Sequence, residues 1–161
     1  LASGLLAEQK PNAMILSYPA TCAPNMPGAD FMLKLLEGRE TVTDEDAKKY
    51  DLPSKVTKDA PPMFLAATAE DPLTGFCTMP LVNAYNRLGL KFELHIFQYG
   101  PHGYALANEV TADGSSHVID PAFAQWQELS VQWIHKTFGK PVHVHNPTSR
   151  MAKIAKEMGL M

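Results

Sequence analysis

The sequence predicts an α/β protein, a parallel sheet with flanking helices, and one stretch, Pro61–Tyr104, carries the three observations that say so. Met63 to Ala67 is a short apolar run closed by Glu70-Asp71-Pro72, which reads as a buried strand ending in a turn. Leu81, Ala84, Tyr85 and Leu88 fall at i, i+3, i+4 and i+7, the apolar stripe of a helix, and Gly89 stands where a helix stops. Phe92, Leu94 and Ile96 then alternate with Glu93 and His95 until Gly100-Pro101 breaks the run. Strand, helix, strand in that order is a βαβ unit, so the two strands are expected parallel, with a right-handed crossover.

One ionisable residue follows each strand in its loop, Asp71 after the first and His102 after the second. Parallel strands put both loops at the carboxyl edge of the sheet, where open α/β sheets keep their sites. A carboxylate that accepts from imidazole Nδ1–H fixes the tautomer and stabilises the imidazolium formed when His takes a nucleophile's proton. One hydrolase arrangement runs nucleophile, acid, His along the chain, and Asp71 before His102 fits its last two members. The competing reading is a turn-starting Asp-Pro and a solvated loop His.

The residues around the pair resemble a family. PPMFLAATAEDPLT (61–74), the helix, and FELHIFQYGPHGY (92–104) are similar to the C-terminal half of α/β-hydrolase esterases, nearest to the small-esterase and acetylxylan-esterase-like group. In that family the acid lies in a D-x-x-V-P-type turn and the His in a G-x-H-G turn. Gly100-Pro101-His102-Gly103 matches the second, while Asp71-Pro72-Leu73-Thr74-Gly75 matches the first but has Thr74-Gly75 for Val-Pro. The resemblance covers roughly Leu1 to Phe138 and implies a serine carboxylic-ester hydrolase, acting on short-chain or acetyl esters, on a carbohydrate among other alcohols. It implies catalytic roles for Asp71 and His102 and no cofactor. A peptidase of the same fold and a catalytically inactive interaction fragment are the alternatives.

The upstream part of the chain bears on the nucleophile. Leu1 to Gln9 reads as the later turns of a helix without an N-cap, and Ala13 to Ser17 as a buried strand. Leu1-Ala2-Ser3-Gly4-Leu5-Leu6-Ala7 looks like the helix that follows the family's G-x-S-x-G-G turn. The sequence holds no G-x-S-x-G, so the nucleophilic Ser and the oxyanion loop are expected upstream of Leu1. Ser3 on an apolar helix reads as a packing residue, Ser17 ends a strand, and Gly114-Ser115-Ser116 follows the His. Cys22, a candidate thiol nucleophile, lacks a flanking Gly turn.

Composition narrows the partners. A net charge of −3 with 45% hydrophobic residues is that of an ordinary globular domain. No basic patch points to nucleic acid, no apolar run reaches the ~20 residues of a membrane span, and no signal-peptide pattern opens the chain. Two cysteines, Cys22 and Cys77, fit reduced thiols and a cytoplasmic setting. His143-Val144-His145 has no third ligand at metal spacing, so no metal is expected.

The remaining elements belong to residues 1–139, which the resemblance implies are the C-terminal part of one α/β-hydrolase domain whose N-terminal strands are expected upstream. Asp30 is expected to cap a helix through Leu36 with Phe31, Met32, Leu35 and Leu36 on one face. Thr43 before Asp44, Glu45 and Asp46 caps another. Residues 30–59 thus read as a lid insertion, with Met26, Phe31 or Met32 as contacts, or as a core-facing connection. Ala105 to Ser116 reads as a polar loop. Asp120-Pro121 starts a long helix along Trp126, Leu129, Ser130, Trp133, Ile134 and Thr137, ended by Gly139. Residues 140–161 read as a tail with an amphipathic stretch, Thr148 to Met158, that docks on its own domain or forms a homo-oligomer.

Overall fold

The computed structural model describes residues 1–21, 26–112, 114–115 and 118–139. Cys22, Ser116, His143, His145, the 140–161 tail and the Ser3 side chain lie outside the described residues. Three parallel strands, β1 (Met14–Ser17), β2 (Met63–Thr68) and β3 (Phe92–Phe97), lie in the order β1-β2-β3. Met14 pairs with Met63, and Met63 with Phe92, so the strands start level and their carboxyl ends form one edge.

Every residue of β2 is buried because both of its faces are covered. Met63 and Leu65 pack with Leu5 of α1 (Ala2–Leu6) and with Leu81, Val82 and Tyr85 of α4 (Met79–Arg87). Phe64 and Ala66 face Trp133 of α7 (Trp126–Phe138), whose ring centroid lies 6.0 Å from that of Phe64. The unbroken apolar run of β2 has this physical cause: a central parallel strand has no wet side.

β3 is only half-buried and breaks the alternation that its sequence promises. Phe92 and Leu94 pack into the α4-side core, but Ile96 is exposed and His95 lies against the Phe64 ring. β3 is an edge strand among the described residues, and Ile96 is its exposed apolar residue, while Phe97 packs on Phe123 with ring centroids 5.2 Å apart.

Two helices connect β1 to β2: α2 (Ala29–Glu37) and α3 (Asp44–Tyr50). α3 begins at the Thr43 cap its sequence predicts, and Asp46 closes a capping box with it. α2 differs. Gly28, at φ 74°, is the N-cap, while Asp30 lies in the first turn and pairs with Lys34 at 2.8 Å. Leu33 is buried and Met32 packs against Met26 and Cys77, whereas Phe31 and Leu35 are 69% and 67% exposed. The helix carries two apolar stripes, and the packing beneath it selects the Met32–Leu33 side. Met26 is buried, and Met32 is partly buried against it.

After His102, the expected polar loop contains a short helix, α5 (Glu109–Ala112). The expected long helix is divided at Gln125 into α6 (Pro121–Ala124), capped by the Asp120 carboxylate, and α7. The helix after β2 also starts differently. A π-helical turn, Thr74–Thr78, precedes α4 directly.

Tyr85 joins the fold to a testable pH dependence. It is fully buried, its hydroxyl donates to the Pro61 carbonyl at 2.9 Å, and burial pushes its pKa up to about 12. A raised folded-state value leaves stability intact below the ordinary value of 10.0 and removes it as pH rises toward 12. The loss over that window is expected to reach ~2–3 kcal/mol. Urea midpoints across the window should fall for the native chain and fall by less for Tyr85→Phe. Equal slopes would place the alkaline sensitivity elsewhere.

Candidate active site

The ends of the three strands deliver three side chains to one edge. Tyr18 is the first residue after β1, Asp71 follows β2 by three residues, and His102 follows β3 by five. Asp71 Oδ2 lies 2.9 Å from His102 Nδ1. The Asp71 side chain is 1% exposed and that of His102 is 42% exposed. The acid is enclosed and the imidazole reaches the surface.

The turn itself holds Asp71. Its Oδ1 accepts from the Leu73 N–H at 2.8 Å, and the Thr74 N–H donates to the Asp71 carbonyl at 3.0 Å. This is an Asx-type turn, in which an Asp side chain stands in for backbone. Thr74 Oγ1 then donates to the Thr68 carbonyl at 2.7 Å, tying the π-helical turn back to β2. The Thr21 hydroxyl donates to the Cys77 carbonyl at 2.7 Å inside that turn. Single π-helical turns embedded in helices are frequent at functional sites because they re-aim neighbouring residues.

The His102 turn is clamped at Gly100. Thr68 Oγ1 donates to the Gly100 carbonyl at 2.5 Å, and the Gly100 N–H donates to Glu70 Oε2 at 3.0 Å. Both partners belong to the acid's own strand and loop, so the two turns are fixed to each other. Glu70 therefore has an occupation other than the imidazole. Gly100 has φ 128°, a conformation open to glycine, and Tyr104 packs where its side chain would be.

Asp71 as a carboxylate only accepts hydrogen bonds, so the imidazole keeps its proton on Nδ1 and presents Nε2 as a base. Beside it, the Tyr18 ring meets the imidazole edge-on, with centroids 5.1 Å apart at 76°. Tyr18 Oη accepts from the Ala105 N–H at 2.9 Å. Tyr18 has φ 38°, which strains an aromatic residue, and Pro19 restricts it further.

Ser17 Oγ is buried and makes no hydrogen bond among the described residues, His102 included. Nothing in its placement makes it a nucleophile for this pair. No group of three His, Cys, Asp or Glu residues stands close enough to hold a metal among the described residues. An open hollow of about 530 Å³ runs along α2, lined by Phe31, Lys34, Leu35, Gly38, Arg39 and Glu40, and includes neither Asp71 nor His102.

The fold that carries these residues recurs in solved hydrolases. A carboxylesterase from Lactobacillus plantarum superposes over 80% of this chain with a TM-score of 0.65 and 27% identity. The chain's fold is that of the esterase-like α/β hydrolases. A sugar hydrolase from Lactococcus lactis superposes over 80% of this esterase-like chain with a TM-score of 0.63 and 27% identity. Endo-1,4-beta-xylanase B of Butyrivibrio fibrisolvens is 31% identical over 108 residues, 66% of this chain. The chain spans 45% and 49% of the two solved structures and 17% of the xylanase. No family model matches it. No helix among the described residues is long and apolar enough to cross a membrane.

The sequence singled out Asp71 and His102, and the structure brings them together. Tyr18, Thr68 and the Glu70–Gly100 bond escaped sequence reasoning. A Thr closing a buried strand and an acid adjoining the acid turn were the available signals, though neither names its partner.

Proposed function

We propose that this esterase-like chain contributes the acid and the base of a serine carboxylic-ester hydrolase. The observation that carries the reading is the 2.9 Å hydrogen bond from His102 Nδ1–H to the enclosed Asp71 carboxylate at the carboxyl edge of the sheet. His102 Nε2 takes the proton of a Ser hydroxyl as that oxygen attacks the ester carbonyl, then returns it to the departing alcohol. Water enters by the same general-base step to release the acid. Asp71 stays ionised and stabilises the imidazolium between the two proton transfers.

The nucleophile in this reading is a Ser on the turn ahead of α1. A helix that feeds a parallel strand generally runs counter to it, and this topology supports a Ser ahead of α1 at the edge that carries His102. The substrates are short-chain or acetyl esters borne by a carbohydrate. The xylanase relative and the sugar-hydrolase neighbour support a saccharide alcohol, and the carboxylesterase neighbour supports the ester bond.

The test is an activated acetyl ester and an acetylated xylo-oligosaccharide, offered to residues 1–161 and to the product of the whole reading frame. Residues 1–161 are expected to show no saturable turnover, while the longer protein turns over and His102→Ala abolishes it. Turnover by residues 1–161 that Ser3→Ala or Cys22→Ala removes would place the nucleophile inside this sequence.

A further inference from the structure

We infer that Tyr18 is a positioning residue for His102: its ring keeps the imidazole against Asp71, and its hydroxyl fixes the chain leaving the His turn. The inference deepens the assignment of His102 as the base and rests on it.

His102 is held by one described hydrogen bond, to Asp71, and its side chain is partly exposed to solvent. One hydrogen bond at Nδ1 does not by itself select a side-chain rotamer, because the exposed ring can swing outward and hydrogen-bond to water. The Tyr18 ring stands against the imidazole, 5.1 Å away at 76°, and closes one side of that swing. Tyr18 is itself anchored at both ends. Its N–H donates to the Ala66 carbonyl at 2.7 Å, continuing the β1–β2 ladder, and its hydroxyl accepts from Ala105 N–H at 2.9 Å.

Beyond that hydroxyl lies a second constrained point. Ala105 has φ 50°, and its carbonyl accepts from Trp126 Nε1 at 3.1 Å. Tyr18 and Trp126 therefore hold Ala105 from its two sides, and the chain from His102 to Ala105 is gripped at Gly100 and again at Ala105. Strain at φ 38° is the remaining argument. A position serving only as a strand terminus would relax into glycine or an extended conformation, whereas strained residues concentrate where surrounding contacts need the side chain in place.

The experiment follows the His102 imidazole by proton and nitrogen NMR in residues 1–161, assigned by the signals that His102→Gln removes. The native chain should show one tautomer, with an exchange-protected Nδ1–H. Tyr18→Gly relieves the positive φ but deletes the ring. In that variant, with amide dispersion retained, the Nδ1–H signal should broaden and the ring nitrogens should move to tautomer-averaged shifts. Tyr18→Phe should keep the His102 signals, since the ring remains, and speed Ala105 amide exchange about tenfold through the lost hydrogen bond. Unchanged His102 signals in folded Tyr18→Gly would overturn the inference. So would unchanged Ala105 exchange in Tyr18→Phe, a variant that keeps the ring packing and serves if the glycine variant does not fold. These signals need no turnover. Absence of esterase activity in the longer protein would therefore sink the functional reading alone, while native turnover by its Tyr18→Leu variant would sink the positioning role alone.

Discussion

Asp71→Asn, made in a protein that contains the nucleophile, is expected to lower kcat roughly 10⁴-fold while KM stays within a few-fold. The substitution keeps the turn. An Asn oxygen can still accept from the Leu73 N–H, which Asp71 Oδ1 now does at 2.8 Å. The amide nitrogen then faces His102 Nδ1 as a donor, in place of the carboxylate oxygen at 2.9 Å. The imidazole answers by carrying its proton on Nε2, and a protonated Nε2 cannot accept from Ser. The stabilising charge beside the imidazolium is lost as well.

Glu70 cannot substitute for the missing charge, because it holds the Gly100 N–H at 3.0 Å. Kinetics on an activated acetyl ester, with Leu73 amide exchange as the control for an intact turn, read the outcome. A loss below tenfold with that amide still protected would show that Asp71 is structural. Asp71→Ala should cost stability too, since it removes the acceptor that closes the turn.

The parts of this architecture that were legible in the sequence are those written in local period. β2 was readable because a strand covered on both sides is apolar along its run, and Met63 to Ala67 is, with only Thr68 at its end polar. The α3 start was readable because Thr43 and Asp46 satisfy each other's backbone within four residues. Asp71 and His102 were legible by topology. Two parallel strands of matched length put their following loops at one edge, and the register from Met63–Phe92 to Thr68–Phe97 meets that condition.

What stayed hidden depends on contacts distant in sequence. Tyr18 meets His102 and Ala105 across more than eighty residues, and the only local cue is the Tyr18-Pro19 dipeptide. The inward face of α2 is read wrongly from sequence as Phe31, Met32, Leu35 and Leu36: Phe31, Leu35 and Leu36 are exposed and Leu33 is buried, because Cys77 and Met26 beneath the helix meet Met32. The π-helical turn has no sequence period of its own. Its carbonyl at Cys77 is met by Thr21, more than fifty residues away.

Gly100→Ala is expected to be the most damaging single-methyl change in the described chain, at roughly 3–5 kcal/mol. Two independent costs add. The first is backbone conformation, since φ 128° is a region that L side chains rarely adopt. The second is steric, because a Cβ built on Gly100 would lie 1.8 Å from Tyr104 Cε2. Neither neighbour can yield cheaply. Tyr104 is 5% exposed and packs on Phe123 with centroids 5.2 Å apart, so its ring has no empty space to enter. The Gly100 peptide is held on its N–H by Glu70 and on its carbonyl by Thr68, so the backbone cannot retreat without breaking both bonds. Gly103→Ala separates the two costs: Gly103 has φ 91° but nothing within 4 Å of its Cβ position. It should lose only the backbone part, about 1–2 kcal/mol. Urea melts of both variants, with the His102 Nδ1–H signal as a local reporter, make the comparison. Gly100→Ala should also displace His102 from Asp71 in whatever fraction stays folded. Equal losses for the two glycines would show that Tyr104 gives way, and that the His turn is not pinned between Thr68, Glu70 and that ring.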